Sequence, residues 1–170
     1  MKPLPSYTIL LAGVVLASCG YRFAGPGQLP GNPRHLHVAV VENPTTETGI
    51  EVLLSNTLIQ AFLANGHQVV AGPEAADAVL SGRIASLRID SVSRESAQIS
   101  LAGRVSIVLN LVLSDPEGNE IWSAEGLSGS QRYSISTGNK LQTEADRRHA
   151  IKILSERLAE TAYDRLTTGF

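Results

Sequence analysis

Ile99, Leu101, Val105, Ile107, Leu109, Leu111 and Leu113 all carry odd numbers. A period of two with one apolar face is the signature of a half-buried β-strand, and Arg104, Ser106 and Asn110 fall on the opposite face. The same reading predicts a strand at about Leu36–Val41 and another over 78–92. In the latter, Leu80 and Ile84 share one parity and Leu87 and Ile89 the other, so a bulge near Ala85–Ser86 is expected. A fourth strand runs from about Glu120 to Ser136, with Ile121, Leu127, Tyr133 and Ile135 on one face and Gly126 and Gly129 as bulge points. Asp115-Pro116-Glu117-Gly118-Asn119 between the last two is a hairpin turn, since proline presets one φ and glycine permits a positive one.

Two stretches follow a helical period instead. Between Asn43 and Asn65 the stripe is Ile50, Leu53, Leu54, Thr57, Leu58, Ala61 and Phe62, with Thr48-x-x-Glu51 as a capping box and Asn65-Gly66 as the stop. From near Thr143 to about Thr167 the stripe is Ile151, Leu154, Leu158, Ala162 and Leu166, with Arg147, Lys152, Glu156 and Arg165 solvated. The order β-α-β-β-β-α predicts an α+β two-layer sandwich in residues 35–170, two helices on one face of a four-stranded mixed sheet. The crossover helix sets the first two strands parallel, and short turns set the later ones antiparallel. The sheet's second face, carrying Arg104, Ser106 and Asn110, is either wet or covered by a partner.

The start of the chain belongs to neither layer. Lys2 precedes an apolar run from Ile9 to Leu16, then Ala17, Ser18 and Cys19, the single cysteine of 170 residues. A short basic, then apolar, then small-residue layout reads as an export signal over residues 1–18, too short to span a bilayer permanently. Leu16-Ala17-Ser18-Cys19 is similar to a bacterial lipobox. That likeness implies N-palmitoyl and S-diacylglycerol chains on Cys19, enough for stable anchoring. An ordinary signal with an incidental cysteine is the alternative. Gly20 stands where an Asp commonly marks inner-membrane retention, so the likeness implies the outer membrane. Residues 19–34, rich in glycine and proline, read as a lipid-anchored arm.

Charge and composition narrow the function. Without residues 1–18 the chain has thirteen bases and sixteen acids, a net charge of −3. That balance argues against a nucleic-acid binder. Lipidation of Cys19 would leave no thiol for a disulfide or a nucleophile. The hydrolase, zinc-protease, phosphate-loop and dinucleotide motifs are missing, so no enzyme, no cofactor and no catalytic residue is expected. His35 and His37 share a strand face but lack a third ligand nearby, and read as surface rather than a metal site. Arg94, Arg132 and Lys140 gather at one end of the predicted sheet beside a helix N-terminus. They are either a site for a phosphate-bearing ligand or scattered surface charges partly neutralised by Glu95 and Glu144.

The mature chain resembles the LPS-assembly lipoproteins of the LptE type. The stretches that carry the likeness are Cys19-Gly20-Tyr21-Arg22-Phe23, Val38-Ala39-Val40-Val41-Glu42-Asn43, Glu47-Thr48-Gly49-Ile50-Glu51, Ala76-Asp77-Ala78-Val79-Leu80-Ser81-Gly82, and Arg147-Arg148-x-Ala150-Ile151 with Leu158-Ala159-Glu160. The resemblance implies two helices against a four-stranded sheet and a place in the cell outer membrane, facing the periplasm. It implies a plug inside the lumen of the LPS translocon barrel (the LptD type), with roles in barrel assembly and LPS binding. It also implies that Arg94 and Lys140 occupy positions where the family carries basic residues; Arg132 rests on geometry alone. The contrasting expectation is a free-standing lipoprotein that binds a cell-envelope ligand, or an unrecognised hydrolase.

Overall fold

A computed structural model describes residues 27–92 and 101–168. Cys19, the signal, the first half of the arm, Arg94 and Ile99 lie outside the described residues. The elements are β1 (His35–Val38), α1 (Ile50–Ala64), β2 (Gln68–Val70), a 3-10 turn (Pro73–Ala75), β3 (Ala78–Val92), β4 (Leu101–Ser114), β5 (Glu120–Ile135) and α2 (Lys140–Thr168). The sheet order is β2-β1-β3-β4-β5. β1 runs parallel to both β2 and β3, while β3–β4 and β4–β5 are antiparallel. The α+β sandwich is as expected, with one strand more. Gln68–Val70 is three residues long, too short to display an alternation, and it pairs at the sheet edge beyond β1.

The core lies between the helices and the odd-numbered face of β4. Val105, Ile107, Leu109, Leu111 and Leu113 meet Leu54, Leu58, Phe62, Leu154, Leu158 and Leu166, all buried. Burial of such side chains contributes about 1.5–3 kcal/mol each before entropy is counted. The register of β3 slips between Ile84 and Ser86, so Ile84 faces Leu109 and Leu87 faces Ile107, both on the helix side. β5 departs from simple alternation twice. One extra residue sits near Ile121 and another at Glu125–Gly126, where Gly126 has φ +67° and donates its N–H to Asn110 Oδ1 at 2.9 Å. Trp122 and Ala124 therefore replace Ile121 on the core side. Gly129 is no bulge: it is the close approach of α2, and a Cβ there would stand 2.7 Å from Leu154 Cδ1.

Both helix starts differ from the expectation for a physical reason. Asn43 Oδ1 accepts from the Thr45 N–H at 3.0 Å, and Asn43 Nδ2 donates to Glu51 Oε2 at 2.7 Å. This local side-chain turn competes with helix, so α1 begins only at Ile50. Thr48 does not cap it. Gly49, at φ +89°, precedes the helix, and Glu51 accepts the Gly49 N–H at 3.0 Å. The stop is as expected: Gly66 (φ +85°) donates to Leu63 O and His67 to Phe62 O, the five-to-two and six-to-one bonds of a Schellman end. α2 starts three residues earlier than expected because Asn139 Oδ1 accepts the Gln142 N–H.

The end of the arm is packed rather than free. Leu29 is buried in the core, and the Gly27 N–H donates to the Tyr163 hydroxyl at 3.0 Å.

Candidate functional site

Antiparallel pairing brings four chain ends to one tip of the sheet. Val92 pairs with Ala102, Leu101 with Ile135, and α2 begins five residues after β5 ends. Residues 93–100, with Arg94, connect β3 to β4 there and lie outside the described residues. Lys140 is the first residue of α2 and is exposed. A cation on the positive end of a helix dipole concentrates positive potential at this tip. Beside it lie exposed apolar side chains: Leu141 in the first turn of α2 is 84% exposed, and Ile89 and Leu101 on the helix side of the sheet are 36% exposed each. The tip thus combines charge with apolar surface, an arrangement suited to an anionic amphiphile.

Arg132 is placed differently. It lies three residues back from the end of β5, about 10 Å along the strand. Its cross-strand partner is Arg104, which in turn pairs with Asp90. By register these residues share the sheet face away from the helices. Arg88 joins them diagonally, because its partner Ser106 is two residues from Arg104. Pattern reading found Arg104 on this face but not its pairing with Arg132 or Arg88. The parity of Arg88 beyond the bulge at Ile84–Ser86 was the available signal.

Arg147 was expected to be solvated and is not. Its side chain is 20% exposed and bonds Glu47 Oε1 at 2.7 Å and Glu144 Oε1 at 2.7 Å. Hydrogen bonding from Arg147 pulls the Glu144 carboxyl below the ordinary glutamate range, and the two carboxylates raise Arg147 still further above neutrality. Glu144 is therefore committed to Arg147, with Arg148 at 3.5 Å, and forms no ion pair with Lys140. The network ties the loop before α1 to the first turns of α2, at the mouth of a cleft of about 520 Å³ floored by Ile50, Leu53 and Ile151.

The histidines do not gather. His35 Nδ1 meets Asp77 Oδ2 at 3.2 Å, and His37 Nδ1 meets the Val70 carbonyl at 3.2 Å. His67 packs against Phe62 and Tyr163, its Nε2 3.2 Å from the Tyr163 hydroxyl, and burial lowers its pKa. Among the described residues no cluster of three or more His, Cys, Asp or Glu could hold a metal ion, and no helix is long and apolar enough to cross a membrane.

The sequence profile of the lipopolysaccharide-assembly family LptE matches residues 34–166. No curated protein matches the chain in sequence. Among solved structures, a minor lipoprotein from Acinetobacter baumannii superposes with a TM-score of 0.51 at 15% identity, covering 80% of this chain and 92% of that one. Lipoprotein B from Nitrosomonas europaea gives 0.54 at 14% identity, covering 86% and 88%. At such identities the likeness speaks for a shared fold.

Proposed function

The chain belongs to the LptE family of lipopolysaccharide-assembly lipoproteins, and from that premise we propose that it plugs the lumen of the outer-membrane LPS translocon barrel and binds LPS at its tip. The family is non-enzymatic and does not depend on a cofactor. The family match over residues 34–166 carries the reading. In this reading Cys19 is acylated and residues 1–18 are removed. Residues 19–34 then link the anchor to one sandwich domain on the periplasmic side of the outer membrane.

Two features support the finer claims. The sheet is covered by helices on one face only, leaving a long polar face as expected of a domain with a partner. The tip carries Lys140 next to exposed Leu141, Leu101 and Ile89, which suits a ligand with an anionic head and acyl chains. Arg94 belongs to the loop at this end, and Arg132 extends the positive surface onto the open face.

Co-purification tests the plug. The detergent-extracted protein should elute with an outer-membrane barrel large enough to enclose it in its lumen. Elution alone would defeat the plug reading. LPS binding by an Arg94→Glu, Lys140→Glu variant should fall, and fall more at low salt, as an electrostatic contact demands. Unchanged binding would remove both residues from the site.

A further inference from the structure

The open face of the sheet holds three guanidinium groups with no ion-pair partner among the described residues: Arg88 on β3, Arg104 on β4 and Arg132 on β5. Arg104 and Arg132 stand directly opposite each other across the strands. Like charges in that position are destabilising, and no ion pair within the described residues relieves the repulsion. Asp90 lies opposite Arg104 but forms no ion pair with it, and Asp146 of α2 lies across a shallow groove from the Arg132 edge. Two acids against three arginines leave the patch positive.

Hydroxyls predominate around these cations, with Ala102 and Val108 the neighbouring apolar residues of β4 on the same face. Ser86, Ser106, Ser128, Ser130 and Ser134 occupy the neighbouring positions of the same face. Hydroxyls and forked guanidinium donors together match an anion that also presents hydroxyl groups. Around these three arginines a protein partner fits less well than on the rest of the face, which is left to the barrel of the proposed function. Stable protein interfaces bury an apolar or aromatic centre and are depleted in serine, and this patch has no aromatic side chain. Arginine rather than lysine at all three positions favours planar, bidentate recognition of phosphate.

We propose that this face, around Arg88, Arg104 and Arg132, is a docking surface for phosphorylated saccharide, separate from the tip that meets acyl chains. The inference rests on the LPS reading and assigns the sugar portion of that ligand its own surface. The sheet then acts as a bed along which the polar part of an amphiphile lies while its apolar part engages the tip.

The test uses the full-length lipoprotein in non-ionic detergent and the water-soluble phosphorylated oligosaccharide released from LPS, with a chemically dephosphorylated sample beside it. The wild type should bind the phosphorylated form, and Arg104→Gln, Arg132→Gln should bind it at least tenfold more weakly. Lys152→Gln, on the helix layer, should bind as the wild type does. The double variant should melt no lower than the wild type, since it removes a like-charge pair. Undiminished binding by the double variant overturns the proposal, as does equal loss on the dephosphorylated sample. If whole LPS binds the wild type but the oligosaccharide does not, this surface is refuted while the LPS reading stands. If neither binds, both fall.

Discussion

Arg147 ties the loop before α1 to the first turns of α2. It sits between Glu47 and Glu144, 20% exposed, with both oxygens at 2.7 Å. Partial burial makes this pair worth more than a surface ion pair, and removal of one partner leaves carboxylates facing each other. Arg147→Gln should therefore cost about 1–3 kcal/mol in urea unfolding at neutral pH. At acidic pH the cost should shrink. The Glu144 carboxyl is held below its ordinary value of 4.5, so its contribution is complete above that pH and is lost as pH falls through the lowered folded value. His67 acts in a higher window. Its folded pKa lies below 6.5, so the neutral form is favoured in the fold and stability declines as pH drops below about 6.5. His67→Asn should flatten the stability profile between pH 6.5 and 5, measured by chemical denaturation. None of this was visible in the pattern, because Arg147 sits beside the buried stripe and Glu47 lies a hundred residues away. Charge and spacing on one helix cannot reveal a partner supplied by another loop.

At the level of elements, local rules read well wherever packing and propensity agreed. The odd-numbered face of β4, the bulge in β3 and the Schellman end of α1 all follow from alternation or turn chemistry. β5 was harder. Its two irregularities shift which residues face the core, and they depend on how the hairpin seats against β4. The pairing of Arg104 with Arg132 is a property of that register, so it could not be read from either strand alone. Gly129 illustrates the difference between a glycine that bends a strand and one that admits a helix. A Cβ at this position would stand 2.7 Å from the Cδ1 of Leu154, a fully buried side chain, with Leu158 Cδ2 at 3.5 Å. Gly129→Ala should cost about 1–3 kcal/mol through overpacking, with a lowered urea midpoint and an unchanged slope. Gly126→Ala meets no neighbouring atom but must hold φ at +67°, and should cost about 1–2 kcal/mol by backbone strain alone.

For the molecule as a whole, folding and anchoring are separable. Every core residue described is C-terminal to position 28, and the proposed acyl site precedes them all in sequence. Cys19→Ser should leave the cooperative melt intact and move the protein from the membrane to the soluble fraction on cell fractionation. A soluble but unfolded product would contradict that division. The fold class was legible because helix and strand periods alternate cleanly. The edge strand β2 and the buried Leu29 were not, since each owes its place to neighbours rather than to a pattern of its own.

The bond from the Gly27 N–H to the Tyr163 hydroxyl, with Leu29 buried just beyond it, sets the length of a leash. If the acyl chains sit on Cys19, eight residues separate the bilayer from this first described contact of the domain. Fully extended, that span reaches no more than about 28 Å. Such an anchor would keep the contact at Gly27 within about one bilayer thickness of the membrane surface. Tyr163→Phe would remove one clasp of that leash, so the distance at which the domain can work is written partly in the last helix.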